Sequence, residues 1–271
     1  MLLYALEWPV LTPYPSRLFG QRSSDVMERG VILENVDNVR AAGHGTVLIT
    51  LTPNANMSGF PGTLGNTVIL AHDDGIMTIY GNLDSVDLVD ERIQIESGSI
   101  LASAGTSGWG NRSSCIFQVV DQIQKTVLNP LLLLPALQDT RPPSLRNIIA
   151  VSDRNQVFPL GTVKSLRQGK YRIYGDISDT INNNTNELSV FRITVLVNGS
   201  EYSVLAFETM KENEGRLYLS SPEFTGETLY TDPARTFLGE INLIRGKADI
   251  SVIARDMAGN ERSVLFGLQI E

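Results

Sequence analysis

The sequence predicts a mainly β protein of two domains, and three observations support this prediction. The length of 271 residues is typical of about two domains. Short runs of alternating or β-branched residues recur along the whole chain and are separated by turn residues. No stretch of any length repeats its apolar residues at the helical spacing of roughly 3.6 residues, so helices are expected to contribute little.

The composition narrows the class of protein. Hydrophobic residues make up 42% of the chain and charged residues 19%, which is enough to bury real cores. The net charge of -8 argues against a nucleic-acid partner, because phosphate binding needs basic patches. The single cysteine, Cys115, lies in an apolar run and is expected to be a buried, unreactive thiol. No apolar run reaches the about 18–20 residues of a membrane span, and Met1–Pro9 is too short for a signal peptide but could be the remnant of one.

The first half begins with a proline-rich segment, residues 4–20, that is expected to lie extended across a core. A long exposed loop is predicted over Pro53–Gly65, which is rich in Asn, Gly, Ser and Pro. The turn His72–Gly75, which ends in Asp-Gly between two apolar runs, predicts a β-hairpin. The strand patterns of this half are Val31–Leu51 around a turn at Gly43–Gly45, Asn66–Leu70, Ile76–Tyr80, Ile93–Ile95 and Cys115–Val120, with a closing segment at Val127–Leu137.

The second half follows Arg141–Pro143, which is predicted to be a short, stiff linker. Many short strand patterns with turns such as Asn198-Gly199 and Ala258–Asn260 favour an antiparallel β-sandwich. The predicted strands are Ile148–Val151, Gly169–Ile177, Phe191–Val197, Glu201–Phe207, Gly215–Ser220, Gly239–Leu243, Ala248–Ala254 and Ser263–Ile270.

Six segments of the first half carry a resemblance when they are taken in order. They are SRLFGQR (16–22), ERGVIL (28–33), VRAAGHGTV (39–47), GNTVILAHDDGIMTIYGNL (65–83), GSILASAGTSG (98–108) with SCIFQVV (114–120), and LNPLLLLP (128–135). Together they resemble the lysostaphin-type (LytM) family of zinc peptidoglycan endopeptidases. In that family, a glycine-rich stretch runs into a His-x-His strand, and the spacing from Gly98 to Phe117 matches this part without a gap. The resemblance implies a LytM-like antiparallel β domain.

The resemblance also implies five functional positions, and none of them holds the residue that the family uses. The three zinc-ligand positions hold Glu28, Ile32 and Ile116. The two positions of catalytic histidines hold Asn82 and Ser114. A catalytic zinc needs three N, O or S ligands, and the isoleucines have no lone pairs. Neither Asn nor Ser titrates near neutral pH, so neither can serve as a general base. We therefore expect no bound zinc, no catalytic residue and no enzyme activity of the family type.

Polar residues around these positions leave two interpretations of the former cleft. A groove that binds a glycan or a peptide without cutting it could be lined by Tyr80, Asn82, Asn111, Arg112, Ser113 and Ser114. Alternatively, Ile32 and Ile116 fill the cleft and close it. The two histidines, His44 and His72, fall in turns and are expected to be exposed.

The second half resembles bacterial immunoglobulin-like (Ig-like) modules, mainly through the pattern Ala-x-Asp-x-Ala-Gly-Asn at Ala254–Asn260. The Asp and Asn of this pattern suit side-chain to backbone bonds in a turn, which favours a structural role. The predicted organisation is therefore a degenerate LytM-like domain over residues 1–143 and an Ig-like β-sandwich over residues 144–271.

Together, these expectations predict that the chain is a non-catalytic protein of the periplasm or cell envelope. Its expected role is to bind peptidoglycan or to regulate a cell-wall hydrolase, with no nucleic-acid partner and no transmembrane segment in the chain. One alternative is a structural scaffold or oligomer subunit whose groove is closed. A further alternative is an active metallopeptidase whose metal ligands have moved to other positions.

Overall fold

The computed structural model describes residues 6–23, 26–52, 62–89, 93–111 and 113–271. The start of the predicted N-terminal segment, most of the predicted loop Pro53–Gly65, and Arg112 lie outside the described residues. The chain forms two compact units. Domain 1 consists of Met1–Gly20 and Glu28–Ala136, and domain 2 of Gln21–Met27 and Leu137–Glu271. Residues 21–27 and 137–143, which the sequence suggested for the first domain, therefore belong to domain 2.

The described residues form short strands with very little helix. Up to residue 132 the elements are β1 (Pro15–Arg17), β2 (Arg22–Ser23), β3 (Val26–Met27), β4 (Val31–Leu33), β5 (Asn38–Arg40), β6 (Gly45–Leu51), β7 (Asn66–Ala71), β8 (Ile76–Leu83), β9 (Gln94–Ile95), β10 (Ile100–Ser103), β11 (Cys115–Asp121), β12 (Thr126–Leu128) and a 3-10 turn (Pro130–Leu132). The later elements are β13 (Ser144–Ser152), β14 (Val157–Pro159), β15 (Ser165–Leu166), β16 (Gly169–Ser178), β17 (Arg192–Val197), β18 (Ser200–Ala206), β19 (Thr209–Asn213), β20 (Arg216–Leu219), helix α1 (Gly226–Leu229), β21 (Thr236–Leu243), β22 (Gly246–Arg255) and β23 (Glu261–Ile270).

Domain 1 is organised around an antiparallel sheet with the strand order β12–β11–β8–β7–β6–β9. Strand β4 pairs with the first half of β11, and β1 pairs with β4. The hairpin predicted at His72–Gly75 is confirmed, since β7 and β8 pair in antiparallel register from Ala71↔Met77 to Asn66↔Leu83. Apolar residues of these strands fill the core, because alternate side chains of each strand point to the same face. They include Val31, Leu33, Val68, Leu70, Tyr80, Phe117 and Val119.

Domain 2 is a β-sandwich, as the sequence predicted. One sheet has the order β14–β13–β16–β21, and the other has the order β15–β23–β22–β17–β18. A hydrogen bond of 2.6 Å from Ser203 Oγ of β18 to the Leu238 carbonyl of β21 joins the two sheets. The inner faces carry the buried aliphatic and aromatic residues, among them Ile173, Ile193, Val195, Leu238, Ile250 and Val252.

Each run predicted as a strand in the second half overlaps a strand of the structure. The sequence missed β14, β15, β19 and α1, which are short or largely polar and lack a buried alternating face. Among the described residues, no helix has both the length and the apolar character needed to cross a membrane.

Candidate functional site

Three strands of domain 1 bring together most of the residue positions implicated by the sequence. In the β4–β11 ladder, Ile32 lies opposite Ile116, and in the β11–β8 ladder, Ile116 lies opposite Gly81. Tyr80 and Asn82 flank that glycine on β8. Ser114 directly precedes β11 and bonds Asn82, so four of the five former metal-ligand and catalytic positions, all except Glu28, are neighbours in the structure.

The two isoleucines occupy the centre of this region. Ile116 is buried with 6% of its surface exposed, and Ile32 is half-buried on the adjacent strand. Directly opposed side chains on antiparallel strands lie about 4.5–5.5 Å apart at their Cβ atoms, so this pair can make an apolar contact. Such a contact provides no lone pair to a cation, and it favours the interpretation in which aliphatic side chains fill the cleft.

Asn82 is fully buried, and its side chain hydrogen-bonds the backbone of residues 105–114. Its Nδ2 atom lies 3.0 Å from the carbonyl oxygens of Gly105, Asn111 and Ser114, and its Oδ1 accepts a 3.0 Å hydrogen bond from the Gly108 amide. Its backbone lies in the left-handed region with a φ of 62°, which Asn tolerates better than most residues. All polar atoms of the side chain are thus engaged inside the protein.

Ser114 completes the same network. Its hydroxyl donates a 2.6 Å hydrogen bond to the Asn111 carbonyl, lies 3.0 Å from Asn82 Nδ2, and has no exposed surface. Gly110 approaches so closely that a Cβ atom there would lie 2.6 Å from Ser114 Oγ. We call Asn82 and Ser114, with the backbone groups they bind between residues 105 and 114, the Asn82–Ser114 cluster. It holds this segment against the end of β8.

Tyr80 is also sealed inside domain 1. Its hydroxyl accepts a 2.8 Å hydrogen bond from the Ala42 amide and lies 2.9 Å from Thr78 Oγ1. Burial raises the pKa of Tyr80, so the phenol stays neutral. The network continues to His72, whose Nε2 lies 2.9 Å from Thr78 Oγ1 and whose Nδ1 lies 2.7 Å from the His44 carbonyl. The expectation of an exposed side chain is wrong for His72, which is half-buried, and correct for His44.

The remaining predicted site residues lie at the border of this region. Glu28 is half-buried just before β4, and its carboxylate accepts a 3.2 Å hydrogen bond from the Arg29 amide. Burial raises the pKa of Glu28, against the lowering effects of that hydrogen bond and of the nearby Arg17. Asn111 is exposed and donates through Nδ2 to Glu34 Oε1 at 2.9 Å. Arg112 lies outside the described residues.

The cysteine next to these positions is buried, as predicted. Cys115 has no exposed surface, and burial raises the pKa of its thiol to about 12. The thiolate, which is the nucleophilic form, is therefore scarce at neutral pH.

Carboxylates, rather than the former zinc positions, form a possible metal-binding group. Within the parts of the chain that the structure describes, one group of three His, Cys, Asp or Glu side chains could share an ion, namely Asp139, Asp179 and Asp256 of domain 2. The sequence analysis did not find this group, because its members come from three distant segments and no local motif joins them.

Comparisons with known proteins agree with the geometry of domain 1. The model of peptidase family M23 matches residues 27–130, and a second family model, one without a description, matches residues 142–271. A protein of Treponema pallidum (strain Nichols), described as uncharacterized, is 36% identical over 126 residues, which cover 42% of this chain and 86% of that relative.

Solved structures with detectable similarity have low sequence identity to this chain. The catalytic domain of lysostaphin from Staphylococcus simulans is 19% identical, with a TM-score of 0.34, and the match covers 41% of this chain and 81% of that structure. A chain of the SpoIIQ–SpoIIIAH pore-forming complex is 17% identical, with a TM-score of 0.39, and the match covers 49% of this chain and 92% of that structure.

Proposed function

Residues 27–130 form a peptidase family M23 domain, and from this premise we propose that the chain is a non-catalytic cell-envelope protein. In this proposal, the peptidase fold serves as a scaffold for binding and no longer cuts peptide bonds. The envelope assignment follows from the resemblance to lysostaphin-type enzymes, whose substrate is peptidoglycan.

The observation that carries the proposal is the Asn82–Ser114 cluster. Both residues stand where the family places catalytic histidines, and both have no exposed surface. Their polar atoms bind the backbone between residues 105 and 114. A general base must reach a water or substrate proton within about 3 Å, which a sealed, internally bonded side chain does not do. The cluster supports a structural use of the old catalytic positions.

The chemistry of the ligand positions supports the same proposal. Ile32 and Ile116 oppose each other across two strands, so the centre of the former site is aliphatic. Glu28 is the one carboxylate left among the five positions, and a single carboxylate is too weak a donor set for catalytic zinc. An active enzyme with relocated ligands would need a new group of donors elsewhere in domain 1.

In this proposal, binding to peptidoglycan or to a cell-wall hydrolase uses surface other than the buried cluster. We expect Trp109 to contact the bound partner, because it is 73% exposed and lies in the 105–114 segment that the Asn82–Ser114 cluster holds. The alternative function is a structural scaffold or oligomer subunit, which the closed state of Tyr80, Asn82 and Ser114 favours over binding inside the groove.

A co-sedimentation assay with purified sacculi, together with a pull-down of envelope amidases, tests the binding role. The full chain is compared with Trp109→Ala and with Ile123→Ala, a matched control whose side chain is 76% exposed on the turn between β11 and β12. Binding that weakens several-fold in the first variant and not in the second supports a contact at the held segment. Absence of binding to both sacculi and amidases would leave the scaffold function as the better account.

A further inference from the structure

Three aspartates of domain 2 meet at one end of the β-sandwich. Asp139 precedes β13, Asp179 directly follows β16, and Asp256 begins the turn between β22 and β23. One carboxylate oxygen from each lies within 4.8 Å of one from each of the others. Asp179 and Asp256 are buried, with 4% and 3% of their surface exposed, and Asp139 is half-buried. We call these side chains the Asp triad.

Hydrogen bonds from neighbouring residues hold two of the three carboxylates in place. Asp256 Oδ1 accepts a 2.8 Å hydrogen bond from the Asn260 amide, and Asp256 Oδ2 accepts one of 2.8 Å from Asn260 Nδ2. Asp139 Oδ1 accepts hydrogen bonds from the amides of Arg141 at 3.1 Å and Asn182 at 3.2 Å. These bonds orient the carboxylates before any ligand arrives.

Two members of the triad each have one oxygen atom without a hydrogen-bond partner in the described part of the chain. Asp179 Oδ1 and Asp139 Oδ2 are both buried and make no hydrogen bond. No Lys, Arg or His among the described residues forms a salt bridge with any member of the Asp triad. A carboxylate that is more than nine-tenths buried, with one oxygen atom unsatisfied, is costly unless a cation compensates it.

The electrostatic effect of this arrangement is visible at Asp179. Burial, and then the charges of Asp256 and Asp139, raise the pKa of that carboxyl to about 7, although a backbone hydrogen bond from Thr180 opposes the shift. Without a cation, the two buried oxygen atoms that make no hydrogen bond would have no compensating partner.

We propose that the Asp triad binds one calcium ion. Calcium takes oxygen ligands at about 2.3–2.6 Å, so two oxygen atoms on one ion are at most about 5 Å apart, and the 4.8 Å limit satisfies this for all three carboxylates. The donor set contains only oxygen, whereas zinc prefers nitrogen or sulfur, and both histidines and the cysteine of the chain lie in domain 1. Magnesium demands near-ideal octahedral geometry at about 2.0–2.1 Å, whereas calcium accepts the irregular arrangement that three carboxylates from distant segments provide.

The triad is least enclosed on the side of Asp139, because this residue is half-buried whereas the other two aspartates are buried. Water molecules on that side can complete the six to eight ligands that calcium takes. The ion would join the start of β13, the end of β16 and the β22–β23 turn, so it would link both sheets of the sandwich.

Isothermal titration of the chelator-treated full chain with CaCl₂ tests the proposal. We expect one calcium ion per chain, and magnesium binding at least about tenfold weaker. Absence of calcium binding up to about 10 mM, or equal affinity for magnesium, would overturn the assignment.

Asp179→Asn is the informative variant, because it keeps the volume of the side chain and removes its charge. We expect the variant to fold, to lose calcium binding by at least about tenfold, and to lose the calcium-induced rise in melting temperature. The matched control is Asp153→Asn, which changes an exposed carboxylate of the same domain and should titrate like the unaltered chain. Unchanged calcium affinity in a folded Asp179→Asn variant would refute the triad as the site.

Discussion

Replacing Asn82 by alanine tests whether the former catalytic position is now structural. The variant loses the two N–H groups that three carbonyls of the 105–114 segment share, and it loses the acceptor of the Gly108 amide. A typical intramolecular hydrogen bond contributes a net of about 1 kcal/mol, so the loss of two N–H donors and one acceptor costs about 2–4 kcal/mol. The left-handed backbone at Asn82 adds about 1 kcal/mol of strain for alanine. We therefore expect domain 1 to be destabilised by about 3–5 kcal/mol.

The control for this variant is Asn35→Ala. Asn35 has nearly the same backbone, with a φ of 59°, but its side chain is exposed. Subtracting the loss in unfolding free energy of Asn35→Ala from that of Asn82→Ala cancels the backbone strain. The remainder, which reports the buried hydrogen bonds, should be about 2–4 kcal/mol. Urea unfolding followed by tryptophan fluorescence measures it, because both tryptophans, Trp8 and Trp109, lie in domain 1. A difference below about 1 kcal/mol would refute the structural role and leave Asn82 free for binding.

Three further predictions follow from the same contacts. Ser114→Ala should destabilise domain 1 by about 1–2 kcal/mol and should not be additive with Asn82→Ala, as a double-mutant cycle would reveal, because the two side chains share one network. Gly110→Ala should cost about 2–3 kcal/mol in urea unfolding, since its Cβ would lie 2.6 Å from Ser114 Oγ. Gly62→Ala should change stability little, because no atom of the described residues lies within 4 Å of the Cβ it would add. Without calcium, domain 2 should lose stability, on the order of 2 kcal/mol, as the pH rises from about 4 to about 7. Hydrogen exchange of the amides in β16 and β22 measures this loss. Constant protection over this pH range would contradict the raised pKa of Asp179.

The sign of the pH effect follows from proton binding. The folded state keeps a proton on Asp179 up to a pKa of about 7, whereas the unfolded chain releases it near pH 4. Between these values the folded state binds more protons, so its stability falls as the pH rises and levels off above about 7. The expected size is about half the full value of the shift, because Asp139, one of the charges that raise the pKa, is a half-buried residue and solvent screens part of its effect. Calcium should reverse the loss at neutral pH.

Much of the fold could be predicted from local sequence pattern. The hairpin at His72–Gly75 and the strands of domain 2 follow from alternation and turn residues, which act over a few neighbouring positions. The placement of Ile32 beside Ile116 followed from the family resemblance and is confirmed by the β4–β11 register.

The state of the cleft could not be predicted, because residue type does not reveal the direction of a side chain. Asn82 and Ser114 have the chemistry of a polar groove, but the left-handed backbone and the close approach of Gly110 turn them inward. The Asp triad was missed for a different reason. Asp139, Asp179 and Asp256 meet only through the packing of the two sheets, and the turn motif at Asp256 indicated a purely structural role.

The most direct test of the central claim is peptide-bond cleavage in the presence of zinc. The full chain, preincubated with ZnCl₂, is added to purified sacculi beside an active M23 enzyme as positive control, and new amino termini are counted by mass spectrometry. We expect no release above that of sacculi alone and no stoichiometric zinc in the dialysed protein. Chelator-sensitive release of new termini that is lost in Glu28→Ala would contradict a non-catalytic M23 domain.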